Sequence, residues 1–231
     1  MLSRIRACAL LLCLCTAAGL AATYRSAVIV IGAQASPIEK RVASLLAGRI
    51  SEPSALAARV ADELPSAEAG VLRILLGVPA RHPEILRAMD SRGLPPLTAL
   101  EPGPEGFLLQ TLGDGVDTPV LAAGIDERGV LYAAGEILRR MEIGETSLEF
   151  PEALHIRTAP AFEIRGTQFG QSGVALTKGK VRKWSDAELR RAILDFALAG
   201  LNTVEIHEEL GAEDVRFRVA REFGLKTLTH D

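Results

Sequence analysis

Cysteine is scarce in this chain, and its three copies, Cys8, Cys13 and Cys15, all fall within the first fifteen of 231 residues. If that segment is removed, no disulfide, thiolate nucleophile or cysteine metal site is left. Aromatic residues make up only 4%, so stacking platforms for bases or sugar rings are few. A basic excess is also missing. The formal net charge is −3, and without Arg4 and Arg6 it falls to −5, with 24 basic residues against 29 acidic ones. With no basic stripe anywhere, nucleic acid is not an expected partner.

A long apolar run occurs at the N-terminus, where residues 7–20 follow Arg4 and Arg6 and give way to small residues through Ala22. This is the three-part layout of a secretory signal, and the run is shorter than the roughly 20 apolar residues a membrane helix needs. Leu12 before Cys13 and Leu14 before Cys15 are too large for lipoprotein processing. The expectation is a leader over residues 1–22, cut near Ala21 or Ala22, and a secreted or periplasmic protein with no membrane contact afterwards. Without disulfides the mature chain depends on its core, and 48% hydrophobic content supplies one.

Residues 26–31 form a β-branched run ending at Gly32, as expected of a buried strand. A helix follows with strong signals: Ser36 as N-cap, Pro37 at its first position, Glu39 completing a capping box, and Gly48 past the end. Residues 32–36 lack the glycine spacing that lets a pyrophosphate approach the backbone, so a dinucleotide site is not expected. Leu56, Val60 and Leu64, spaced by four before Pro65, suggest a second short helix. Residues 71–76 read as a strand, Pro83 opens a helix that Gly93 stops, and residues 106–112 and 119–123 read as a hairpin around Gly113 and Gly115. Asp126 caps a further helix whose inner face is Val130, Ala134, Ile137, Leu138 and Met141. The sum is an α/β sandwich over residues 23–158, with helices covering one face of a mixed sheet.

Residues 145–160 read as a connector with two prolines, and beyond it the pattern becomes an alternation of strands and helices. A strand is expected at 162–166, a loop at 167–183, and a helix opened by the Ser185 and Glu188 capping box with Leu189, Ile193, Phe196 and Ala197 inward. Strands at 201–206 and 225–228 flank a helix carrying Val215, Val219 and Phe223, which Gly224 ends. A closed (β/α)8 barrel takes about 250 residues, so residues 159–231 are expected to be an incomplete (β/α) barrel fragment. On this reading residues 23–158 fold alone and the open strand edges beyond them are labile.

The ordered set of Pro37, Ile38 and Glu39, the strand ending at Gly77, Glu105 to Phe107, and Gly124, Asp126, Arg128, Gly129, Leu131 and Tyr132 resembles the N-terminal domain of bacterial β-N-acetylhexosaminidases and α-glucuronidases. Arg165 with Gly166, then Trp184, then Asn202 resembles the entry to the catalytic barrel of those glycosidases, and Thr167, Gln168, Val204 and Glu205 lean towards the α-glucuronidase branch. The resemblance implies an exported hydrolase of polysaccharide or glycan, with carbohydrate as partner and no cofactor. The alternative from a different class is a free-standing accessory module left after loss of the barrel.

In that family the catalytic acids lie on later barrel strands, so no residue here is assigned a catalytic role. The resemblance implies substrate-binding places for Arg165, Glu205 and His207 at strand ends. The bland reading of Arg165 is an ion pair at the strand corner, and that of His207 a solvated strand end. His207, Glu208 and Glu209 lack the second histidine of a zinc motif, and His82, His155 and His230 are isolated, so no metal is expected. Trp184 is read as a staple packed before the Ser185 cap, and Lys178, Lys180, Arg182 and Lys183 as a solvated loop.

Overall fold

A computed structural model describes residues 21–113, 118–168, 174–177, 180–206 and 213–229. In chain order the elements are β1 (Ala21–Tyr24), β2 (Ser26–Val30), α1 (Pro37–Ser51), β3 (Ala57–Ala61), β4 (Val71–Gly77), a 3-10 turn (Pro79–Arg81), α2 (Pro83–Ser91), β5 (Phe107–Thr111), β6 (Val120–Gly124) and α3 (Glu127–Arg140). They continue with β7 (Glu142–Ile143), β8 (Leu148–Pro151), β9 (His155–Thr158), β10 (Gly166–Gln168), β11 (Val174–Thr177), β12 (Lys180–Lys183), α4 (Asp186–Leu198), β13 (Thr203–Ile206), α5 (Val215–Phe223) and β14 (Lys226–Thr229).

The main sheet has the order β3-β2-β4-β6-β5-β9, with β3, β2, β4 and β6 parallel and β5 antiparallel to both its neighbours. β4 is buried along almost its whole length, which is why it reads as a continuous apolar run rather than an alternating one. Its Leu72, Ile74 and Leu76 share a core with Val42 and Leu46 of α1 and Val130 and Ile137 of α3. Leu75, with Val28 and Val30, turns to the other face and meets Ile85 and Met89 of α2. Helices therefore cover both faces, not one: α2 is short, but its two inward residues seal the second side.

Three further expectations change. Residues 57–61 are a strand, since the period of four from Leu56 to Leu64 is overridden by parallel pairing of Ala57–Ala61 with β2, completing a β2-α1-β3 crossover. The connector holds β8 and β9: Leu148 and Phe150 alternate inward, β8 lies between β1 and β7, and β9 extends the main sheet beside β5. The loop after residue 166 contains the hairpin β11-β12. The hairpin of β5 and β6 forms as expected, with Phe107 opposite Gly124, while Gly115 lies outside the described residues.

A second sheet, β10-β13-β14, is wholly parallel. α4 lies in the connection from β10 to β13 and α5 in that from β13 to β14. Leu189, Ile193 and Ala197 of α4 and Val215, Val219 and Phe223 of α5 join the same core cluster as α1 and α3. The order of layers is α2, main sheet, α1 with α3, α4 with α5, second sheet. Phe196, expected inward, is 41% exposed.

The leader expected over residues 1–22 lies almost entirely outside the described residues, and its cut at Ala21 or Ala22 falls within β1, where Ala22 and Tyr24 are buried. Among the described residues no helix is long and apolar enough to cross a membrane.

Candidate functional site

The C-terminal edge of the second sheet is where a βα architecture places ligands. Parallel pairing sets Gln168, the last residue of β10, beside Glu205 of β13, and Glu205 beside Leu228 of β14. Glu205 is half-buried there. His207 lies outside the described residues.

Arg165 is elsewhere. The expected strand at 162–166 is an irregular segment followed by β10 at Gly166–Gln168, so Arg165 stands before the strand, three residues or about 10 Å from Gln168 along its direction. Its guanidinium is committed to protein partners. Nε donates to the Gly200 carbonyl at 2.7 Å, Nη2 to the Tyr132 hydroxyl at 2.8 Å and to Glu105, and Nη1 to the Phe162 carbonyl. The guanidinium also lies 5.3 Å from the centre of the Tyr132 ring, within cation–π range. The ion-pair reading of Arg165 is the one its surroundings match.

Glu105 is the hub of this network, and the residue reasoning from sequence alone did not pick out. It adopts a left-handed backbone, φ 60°, an unusual state for a side chain other than glycine, held by its N–H donating to Asp126 Oδ2 at 3.1 Å. Its buried carboxylate pairs with Arg128 at 2.9 Å and with Arg165, and accepts the Asn202 amide at 3.0 and 3.1 Å. Burial by itself raises a carboxyl pKa, but the hydrogen bonds from Arg165 and Asn202 and the charge of Arg128 outweigh it and hold Glu105 below its ordinary value. Burial and the charge of Glu105 push the Tyr132 phenol far upward, so it stays neutral. Asn202 also takes the Arg165 N–H on Oδ1 at 3.0 Å and donates to the Glu163 carbonyl at 2.8 Å. The pocket of about 280 Å³ alongside is lined by Tyr132, Glu136, Arg139 and Arg165, all engaged with protein groups.

The parallel strands of the main sheet end at a second possible site, and it is filled. The Glu39 carboxylate is 1% exposed and accepts Ser36 N–H, Val78 N–H and Arg81 Nε, each at 2.7 Å. A Cβ on Gly32 would stand 2.0 Å from the Arg81 carbonyl, so this glycine serves the close approach of two backbone segments. His82 is a structural histidine: Nε2 bonds the Val30 carbonyl at 3.1 Å and Nδ1 caps α2. Burial lowers its pKa. Trp184 is half-buried against the common core, as a staple would be. Among the described residues no group of three or more His, Cys, Asp or Glu is arranged to hold a metal.

The fold is a mixed α/β architecture with two sheets joined through helices. Neither a family model nor a curated protein matches the sequence. Among solved structures, the chain is similar to BtGH115A, a family GH115 4-O-methyl-α-glucuronidase with specificity for decorated arabinogalactans, at TM-score 0.61 and 15% identity, over 89% of this chain and 29% of that one. It is similar to CpGH84B at TM-score 0.56 and 14% identity, over 91% of this chain and 34% of that one. A GH20 exo-β-N-acetylglucosaminidase from Vibrio harveyi matches at TM-score 0.49 and 15% identity, over 81% of this chain and 23% of that one. The chain thus spans about a third of the length of the first two.

Proposed function

We propose that this chain is part of an exported glycoside hydrolase acting on polysaccharide or glycan. In this reading residues 23–158 are the accessory α/β domain and residues 159–231 open a (β/α)8 barrel. Sugar is bound at the C-terminal ends of β10, β13 and β14. The supporting observation is the parallel order β10-β13-β14 with α4 and α5 in its crossovers, in a chain similar in fold to part of a 4-O-methyl-α-glucuronidase over 89% of its length. Glu205, with His207 following in sequence, is assigned to substrate contact. Arg165 supports the site from the opposite end of β10 by fixing where the strand begins.

Hydrolysis of a glycoside ordinarily takes two carboxyl groups about 5 to 9 Å apart. The described part of this edge contributes one, Glu205. In this reading the catalytic acids lie on later barrel strands, and the chain as given binds sugar without turnover. Incubation with chromogenic N-acetylhexosaminides and glucuronides is expected to release no chromophore, and measurable hydrolysis would contradict the assignment. Titration with a glucuronic-acid-terminated oligosaccharide is expected to give weak binding that Glu205→Ala lowers by about tenfold, the scale of one charge-assisted contact. Equal affinity in the variant would remove Glu205 from the site.

A further inference from the structure

Arg128, Tyr132, Gly135 and Arg139 of α3 follow one another at intervals of four, three and four residues, the spacing that lines side chains along one stripe of a helix. Each of the four meets the second unit. Arg128 Nη1 donates to the Gly224 carbonyl at 3.2 Å. The Tyr132 hydroxyl receives Arg165. At Gly135 a Cβ would stand 1.9 Å from the Leu198 carbonyl, and Arg139 Nη1 donates to that same carbonyl at 2.8 Å. Gly129, off this stripe, lies instead against Gly106 and Gly124 of the first unit.

Leu198 ends α4 and Gly224 caps α5. Their carbonyls lie where a helix leaves acceptors unpaired and carries its negative pole. Two arginines of α3 thus cap the C-terminal ends of both helices of the second unit. Between them glycine, which weakens a helix interior, is explained by the close approach of the α4 backbone. Beside Arg128 and Tyr132, Glu105 holds Arg165 and Asn202, the residues immediately preceding β10 and β13.

We propose that this stripe, together with Glu105, is an intramolecular docking surface that seats α4, α5 and the entry ends of β10 and β13. The geometry of the second sheet is then set by the first unit and not by the second unit's own core. Among the described residues β10 and β14 are the outer strands of this sheet, and the apolar residues of α4 and α5 pack into the core they share with α1 and α3. The first unit is a template for the strands that follow it, whatever those strands bind. This role is independent of the sugar site proposed above.

Hydrogen exchange followed by mass spectrometry on the full chain tests this, comparing the wild type with Gly135→Ala and Glu105→Gln. In both variants amides of α4 and β13 are expected to exchange about tenfold faster or more, while those of β2 and β4 change less than about twofold. Unchanged protection in α4 and β13, or equal acceleration in the two sheets, would overturn the proposal. If Gly135→Ala does not yield folded protein, Arg139→Met decides. It is expected to accelerate the last turn of α4 about two- to fivefold, with slow exchange restored by Arg139→Lys, which keeps a cationic donor. Absence of that selective acceleration, or of its rescue, would count against the docking role.

Discussion

Glu105 shows most clearly how a single residue links distant segments. Its carboxylate neutralises two arginines, Arg128 from its own unit and Arg165 from the other. Removal would leave these guanidinium groups without their counter-charge. Loss of one partner from such a buried network costs about 3–5 kcal/mol, so Glu105→Ala is expected to lower unfolding free energy by that amount in urea titration. A change within experimental error would mean the ion pairs carry no net stability. Acid sensitivity has two windows. The folded pKa of His82 is depressed, so its contribution is complete above the unfolded value of about 6.5 and is lost as pH falls through the folded one. Glu105 and Glu136 are also depressed, and their contributions disappear only below about pH 4.5. Stability plotted against pH should decline in two steps, and His82→Gln should abolish the upper step alone. The network was only partly legible in the sequence. Arg165 stands in the resembling strand entry, and Glu105 and Arg128 lie in the resembling segments, but pairs 60 and 23 positions apart carry no local signal.

Elements whose signals are local came out as read. The capping boxes Ser36 with Glu39 and Ser185 with Glu188 both form. Asp126 caps α3, and Gly224 takes the left-handed conformation that ends α5. Such caps are written in three or four consecutive residues. By contrast β3, β9 and the β11-β12 hairpin exist through pairing with a partner strand, which sequence periodicity does not record. The 56–64 segment shows the conflict: its period of four is helical, yet β2 offers a free edge at that place. Replacing either capping serine by alanine is expected to cost about 1 kcal/mol. The Ser36→Ala loss should appear in α1 and the Ser185→Ala loss in α4, measured by denaturation together with exchange protection of each helix. Losses below about 0.3 kcal/mol would show that water replaces the caps without penalty.

At the scale of the whole molecule, two sheets are joined through two layers of helices, and the apolar cluster runs without a break from β2 to α5. The core therefore has no gap at the connector expected from its two prolines and the change of periodicity beyond it. The second sheet presents a C-terminal edge on which Gln168, Glu205 and Leu228 stand in register, while Arg165 belongs to the opposite end. In the proposed function sugar is met at the first of these ends. Amide chemical-shift mapping of the chain titrated with a glucuronic-acid-terminated oligosaccharide measures this directly. The predicted result is a cluster of shifts at residues 167–168, 204–206 and 228–229, with residues 163–165 and 200–202 unmoved. Shifts centred instead on the groove of about 710 Å³ lined by Arg41, Arg49, Arg190 and Arg191, or no shifts at saturating sugar, would contradict it.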